Sequence, residues 1–447
     1  MSLAADRPPG STRTAGIVGG GWAGLAAAVE LCAAGWQVSV LEMAPQLGGR
    51  ARTLERRGWT VDNGQHIMIG AYRQTLDLMR RVGLDPQALL ERRPLALPDA
   101  QGRGLCLKPG PTLARTAQAV LLQRHWPMTD RLRFLRRAAG WLRPGARCDP
   151  LLTVARWTAD LPAQVRREVI EPLCVSALNT VPEQASAHMF MRVLRDALLG
   201  GPGSADLLLP VRPLGELLPD AAQAWLQARG ADVRLRSRAG FLAPAPDGGW
   251  QVDDRRFDAV ALACSPGEAA RLVAPLDPGW ADTANRLPHA AILTVYVQWD
   301  GAALTHHPMA RLDDGPAQFV FDHGRLSGRP GLLACVVSAA PTARAHDGDS
   351  PLEHEVLAQL QRQLPPSSLG TGPRIMASIL EKRATLHCTP GLQRPTQWIR
   401  PGLVAAGDHV EGPYPSTLEG AVRSGIAAAR SVSETLRDRP ALSSCKT

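Results

Sequence analysis

A chain of 447 residues exceeds what one compact core serves, so two closely joined parts are expected. With 45% hydrophobic and 20% charged residues it has the composition of a soluble globular protein, and its longest apolar runs, 290–299 and 331–340, are strand-sized and exclude an integral membrane protein. The net charge of +9 rests on 47 arginines and only three lysines, which suits an anionic partner; nucleic acid is set aside because no recognition motif accompanies the charge.

Residues 1–13 are small and polar without an apolar segment, so they read as a flexible tail and not as a secretory signal. Eight scattered cysteines form no C-x-x-C pair and read as reduced thiols, which points to the cytoplasm. The first buried strand is 14–18. At its end stands Gly19-x-Gly21-x-x-Gly24, followed by a helix over 23–34 with Leu25, Ala28, Val29 and Cys32 on one face, a stop at Gly35, a strand 37–41 and Glu42. Gly19 permits the tight turn, Gly21 lets backbone N–H groups approach a pyrophosphate, and Gly24 seats the helix close to its strand, while Glu42 is placed to accept from ribose hydroxyls. With Trp22 and Ala23 opening the helix and Gly49 and Arg50 following behind, this unit predicts a site for FAD.

From 57 to 204 the pattern is mostly helical after the Asn63-Gly64 turn. On a helical wheel of 132–143, Leu132, Phe134, Leu135, Ala138, Ala139, Trp141 and Leu142 share one arc. Arg133, Arg136, Arg137 and Arg143 take the other, with Arg131 inside the apolar arc. This predicts a peripheral contact with an anionic membrane through 113–147. A second nucleotide-binding piece follows: a helix with Leu217, Ala221, Ala224 and Ala228, a strand 232–235 whose Val233 is assigned to the cofactor, and a buried strand 259–263. Between 286 and 400, strands at 292–299, 318–321, 332–337 and 375–380 and a helix near 352–364 predict a cavity floor under a helical cover. A third piece holds the strand 403–406, Gly407-Asp408 and a helix from Ser416 to about 436. Ser416 and Glu419 have capping-box spacing, so the first N–H groups, around Thr417 and Leu418, would face the flavin pyrimidine while Asp408 binds ribityl or pyrophosphate-proximal groups. The tail 438–447 is expected to be flexible.

The three flavin-related pieces resemble the amine oxidase and phytoene desaturase superfamily. Val61-Asp62-Asn63-Gly64-Gln65-His66 through Tyr72, with Ala177–Thr180, Glu381–Thr385 and the sequence around Ser416, further resembles the hydroxysqualene dehydroxylases, also described as squalene-associated FAD-dependent desaturases, over residues 14–434. The resemblance implies an α/β fold: a Rossmann-like FAD-binding domain of the amine oxidase type (14–56, 205–265 and 401–437) with an inserted α+β substrate-binding domain (57–204 and 266–400). It implies reduction of hydroxysqualene, or a related long isoprenoid, to squalene with loss of water in hopanoid synthesis, hydride passing from reduced FAD to an allylic cation. FAD would be recharged by an unidentified reductant, at the inner face of a membrane. On that resemblance Gly64, Gln65 and His66 would border the flavin ring. Protonating the leaving hydroxyl needs an acid; His66 is the first candidate, with Asp62, Tyr414 and Glu411 nearby and Arg383 on the cofactor face. His306, His307, His346, Asp347, Asp349 and His354 lack metal-ligand spacing, and no metal is assigned. The alternatives are an isoprenoid or carotenoid desaturase and, from another class, a non-catalytic prenyl-lipid-binding protein.

Overall fold

Strands from three separated stretches of the chain meet in one six-stranded sheet, in the order Asp232–Arg234, Gln37–Leu41, Thr14–Val18, Ala259–Leu262, Leu403–Ala405, Trp398–Arg400. The first five run parallel and the last is antiparallel. The structure is a computed structural model that describes residues 12–300, 304, 307–342, 350–364 and 372–437. Parallel strands are covered on both faces, which is why these segments read as short apolar runs without alternation. On one face lie the helices Trp22–Ala33 and Leu418–Arg437, packed so closely that a Cβ on Gly425 would stand 2.1 Å from the Ala23 carbonyl oxygen. The opposite face carries the helix Pro266–Val273 and an antiparallel meander, Leu242–Pro244, Trp250–Val252 and Arg255–Phe257, whose Trp250 and Phe257 join that core. The meander was not expected, because three-residue strands carry too few positions to display a period.

A second, antiparallel sheet has the order Met309–Arg311, Phe319–Asp322, Leu332–Ser338, His289–Gln298, Arg374–Leu386. Alternation divides its faces: Ala291, Leu293, Val295 and Val297 bury themselves with the helix Pro351–Gln363, whereas Ile292 and Thr294 face a large cavity. Above that cavity lie the helices Thr112–Leu121, Met128–Trp141, Glu171–Leu178 and Ala187–Leu199. One π-helical turn, Arg166–Ile170, precedes Glu171-Pro172, where Pro172 has no N–H to continue a regular ladder.

The expectation of mostly helix after the Asn63-Gly64 turn fails in part, and the residues just before that turn are extended too. Thr53–Arg56 and Trp59–Asp62 form a hairpin turning at Arg57 and Gly58, with φ of 51° and 78°, and Met68–Ile69 and Leu90–Arg93 flank Leu207–Pro210 in a small sheet. Their partner strand lies far away in sequence, so local periodicity could not announce them. Arg13, assigned to a loose tail, is anchored: its carbonyl accepts from Gln37 N (2.8 Å) and its guanidinium lies 5.7 Å from the Trp36 ring centroid. Residues 1–11 and 438–447, and with them most of both tails, lie outside the described residues, as do His306, His346, Asp347 and Asp349.

Candidate functional site

A single cavity of about 970 Å³ runs from the carboxyl ends of the parallel strands to the space between the second sheet and its helical cover. At the first end the cradle is bare backbone. Gly19 (φ 110°) takes a conformation that favours glycine, and a Cβ there would meet the Ala263 carbonyl oxygen at 2.5 Å; one on Gly24 would stand 1.9 Å from the Gly19 oxygen. Gly24 does not line the cavity, but it lets the helix Trp22–Ala33 begin there. That helix has no side-chain cap and no acid in its first turn, so its leading N–H groups and its dipole remain for an anion. Gly21, Trp22, Ala23 and Gly49 form the wall beside it. Glu42 is buried, and Gly20 N (2.6 Å) and Ala44 N (2.7 Å) donate to its two oxygens, fixing the carboxylate with lone pairs to spare for ribose hydroxyls.

Farther in, Arg50 pairs with Asp408 and donates to the Ala384 carbonyl (2.7 Å), and Asn63 Nδ2 donates to the Arg50 carbonyl (2.8 Å). Burial resists ionisation of Asp408, but Arg50, His409 and hydrogen bonds from Arg50 and Ser416 outweigh it and hold the carboxyl down at about 2. Gly407, Ser416, Thr417 and Leu418 complete this section of wall. Arg394 fixes the loop they belong to by donating to the Asp408 (3.2 Å), Tyr414 (2.8 Å) and Gly412 carbonyls.

The far chamber is walled by apolar side chains, among them Phe134, Leu135, Trp141, Phe190, Phe319 and Ile379. In the same cavity, Gln65 Oε1 and Thr294 Oγ1 are buried without a hydrogen-bond partner in the protein, and Thr294 is fully buried. His66 joins them: Thr294 Oγ1 and His66 Cε1 each lie 3.8 Å from the Cβ position of Gly64. His66 Nδ1 faces the Gly64 carbonyl at 3.2 Å, so Nδ1 carries the hydrogen, and burial lowers the pKa of the ring with a smaller contribution from Arg50. Tyr414 also reaches the cavity, its hydroxyl accepting from Arg192 (3.0 Å) and its ring lying between Arg192 and Arg423.

The sequence model of the flavin containing amine oxidoreductases matches residues 22–433. The chain belongs to that family. It is an FAD-dependent oxidoreductase, and the bare glycine cradle, uncapped helix and Glu42 suit that cofactor. Over 463 residues the chain is 26% identical to a protein of Rhodopseudomonas palustris named hydroxysqualene dehydroxylase, covering 94% of this chain and 98% of that one. Relatives from Sinorhizobium fredii and Zymomonas mobilis carry the same name. A carotenoid phi-ring synthase of Streptomyces griseus is 28% identical, covering 95% of this chain and 88% of that protein. Among solved structures, an oxidoreductase from Methanosarcina mazei has the same fold, with a TM-score of 0.68 at 16% identity over 94% of this chain and all of that one.

Against this family cradle, several sequence assignments change. Asp62 lies off the cavity: its carboxylate accepts from Thr53 Oγ1 (2.8 Å) and Leu214 N (3.0 Å), and burial raises its pKa, so it ties the hairpin to the chain after Pro213. Val233 is in mid-strand, paired with Val40 and packed on the core. The crevice opens beyond the strand ends, where Ser237, Arg238 and Ala239 reach it instead. Glu411 is exposed and outside the cavity, whereas Arg383 lines it. The expected capping box is absent. Thr417 Oγ1 accepts from Gly420 N (3.1 Å), Ser416 Oγ accepts from Leu386 N (3.0 Å), and Glu419 leaves its own helix to receive Gln74 N, Thr75 N and Thr75 Oγ1 at 3.2, 2.9 and 2.8 Å. Thr294 and His409 are site residues that sequence reasoning missed. For Thr294 a signal existed, since period two from Ile292 puts it on the same face. His409, adjacent to Asp408, is buried with Nε2 unpartnered and had no such signal. Among the described residues no cluster of three or more His, Cys, Asp or Glu is gathered as a metal would require, and the seven described cysteines are free thiols.

Proposed function

We propose that the protein removes the hydroxyl of hydroxysqualene, or of a closely related long isoprenoid alcohol, reductively, giving squalene and water in the route to hopanoids. The observation that carries this reading is one cavity that joins the flavin cradle to a chamber walled largely by apolar side chains, with Gln65 Oε1 and Thr294 Oγ1 unpartnered and His66 close to Thr294 among its polar groups. Buried polar atoms without partners are costly, and a ligand that is apolar along its length but carries one oxygen would satisfy them. The names of the relatives from three bacteria support the same substrate.

Bound FAD, in its reduced form, supplies the hydride, and a separate reductant restores it. The chain's residues supply the rest. Thr294 Oγ1 and Gln65 Oε1 hold the substrate oxygen. His66, with Nδ1–H committed to the Gly64 carbonyl, presents an acceptor at Nε2 when neutral and a donor there when protonated, and the Nε2 proton goes to the hydroxyl as the C–O bond breaks. Burial lowers the pKa of the ring, which makes its protonated form a better proton donor than an exposed imidazolium. Apolar walls keep water from capturing the allylic cation before hydride arrives.

A desaturase of an isoprenoid hydrocarbon is the second reading, favoured by the carotenoid-modifying relative. Such a substrate has no oxygen to offer Thr294 and Gln65. The deciding experiment incubates the photoreduced holoprotein with hydroxysqualene without oxygen and seeks squalene by mass spectrometry. Squalene formation with flavin reoxidation is expected; its absence overturns the proposal.

A further inference from the structure

The helices Thr112–Leu121 and Met128–Trp141 have two occupied sides. Inward, Thr116, Val120, Phe134, Leu135 and Ala138 line the apolar chamber. Outward, Leu113 (47% exposed), Leu121 (41%), Leu122 (57%), Met128 (54%) and Leu132 (55%) stand in solvent; five of the eleven large apolar side chains exposed among the described residues thus fall within twenty consecutive positions. Arg131 gathers them, donating to the Leu121 carbonyl (2.8 Å) and the Trp126 carbonyl (2.9 Å), so the end of the first helix is drawn to the start of the second. That also explains an arginine within the apolar arc.

The charge along this stretch is predominantly positive, although the Glu168 carboxylate also reaches the corner, held by Trp126 Nε1 and His125 Nε2 at 2.9 Å each. Residues 112–147 contain eight arginines and one acid, Asp130. Arg124, Arg133, Arg136, Arg143 and Arg147 are exposed, and their side chains make no ion pair or hydrogen bond among the described residues. The apolar arc of the second helix is not itself the docking face, since Phe134 and Trp141 are buried. The exposed set is the corner between the helices. Exposed leucines flanked in sequence by the unpaired Arg124, Arg133 and Arg136, with Arg143 and Arg147 beyond the end of the second helix, match the two demands of an anionic bilayer, an apolar interior under a negative surface.

We propose that the corner 113–132 seats the protein on an anionic lipid surface, with Leu121, Leu122, Met128 and Leu132 inserted and the flanking arginines on the headgroups. A long apolar substrate then moves from lipid between these helices into the chamber without crossing water. The identity of that cargo rests on the proposed reaction; the docking does not.

The test is co-sedimentation of the FAD-loaded full-length protein with vesicles of phosphatidylcholine, with or without phosphatidylglycerol. Binding that requires phosphatidylglycerol and weakens with salt is expected. The double variant Leu122→Asp/Leu132→Asp should lose about tenfold or more in vesicle affinity while keeping its flavin absorbance, because neither side chain lines the cavity. Arg133→Gln/Arg136→Gln should erase the preference for anionic lipid. Wild-type protein that ignores anionic vesicles, or a leucine variant that binds them equally, overturns the proposal. So does a concentration-dependent dimer that the leucine variant abolishes in the absence of vesicle binding. Vesicle binding without squalene formation would sink the proposed reaction alone.

Discussion

Thr294 illustrates how one buried hydroxyl carries information. It lies in the strand His289–Gln298 between Leu293 and Val295, fully buried, with no partner for Oγ1. Compare Asn179, also buried and at the cavity, whose amide donates to Thr385 Oγ1 (3.0 Å) and whose oxygen accepts from Ala339 N (2.7 Å); at φ 47° it ends a helix and its polar atoms are used. Unlike Asn179, Thr294 has no partner within the protein and leaves its hydroxyl for a ligand. Thr294→Val keeps the shape and removes the hydroxyl, so the unfolding midpoint should stay level or rise. Affinity for the oxygenated substrate, followed through the flavin spectrum, should fall about tenfold, roughly 1.4 kcal/mol, while affinity for squalene is unchanged. Equal loss for both ligands would reduce Thr294 to a packing residue.

Glu419 makes the corresponding point for an element. Its spacing from Ser416 suggests a cap for its own helix, yet its carboxylate instead receives the first N–H groups of the helix Arg73–Arg81, together with Thr75 Oγ1 and Arg423 Nε (2.7 Å). A buried charge shared by two helices couples the start of one to the start of the other. Glu419→Gln leaves an amide that cannot accept at both positions, and a loss of about 2 kcal/mol is expected, read as a lower urea midpoint. An unchanged midpoint would mean that the two helices are held by apolar packing alone. The capping spacing in the sequence was real; its partner was decided by which helix end folding brought within reach.

Across the whole molecule, buried imidazoles set the response to acid. Burial pushes His409 down to about 4, with Arg50 adding and Asp408 opposing. A histidine whose folded pKa lies below its ordinary 6.5 binds fewer protons in the folded state, so stability rises with pH through that interval and is lost as pH falls below about 6.5. His409 alone should cost about 2 kcal/mol on going from pH 8 to pH 5, and His66 and His289, shifted in the same direction, steepen the loss. Asp408, held near 2, contributes nothing to that change because it is ionised in both states down to pH 5. Urea midpoints at the two pH values test this, and His409→Gln should flatten the slope.

The nucleotide cradle was legible in the sequence because its chemistry is local. Thr14–Val18, the three glycines, Gln37–Leu41 and Glu42 lie within thirty residues, and Gly19 and Gly24 answer steric demands of their neighbours, such as the 1.9 Å between a Cβ on Gly24 and the Gly19 oxygen. Family-specific strings placed Gly64, Gln65, His66, Asp408 and Tyr414 at the cavity, although they could not tell that Asp62 faces Leu214 N or that Val233 stops short of the crevice. Tertiary structure alone decided which polar atoms remain unpaired and which leucines remain in water. Those properties belong to the neighbours folding supplies: the sheet face that leaves Thr294 without a partner and the helix pair that turns Leu122 and Leu132 outward are assembled from segments too distant in sequence to signal one another.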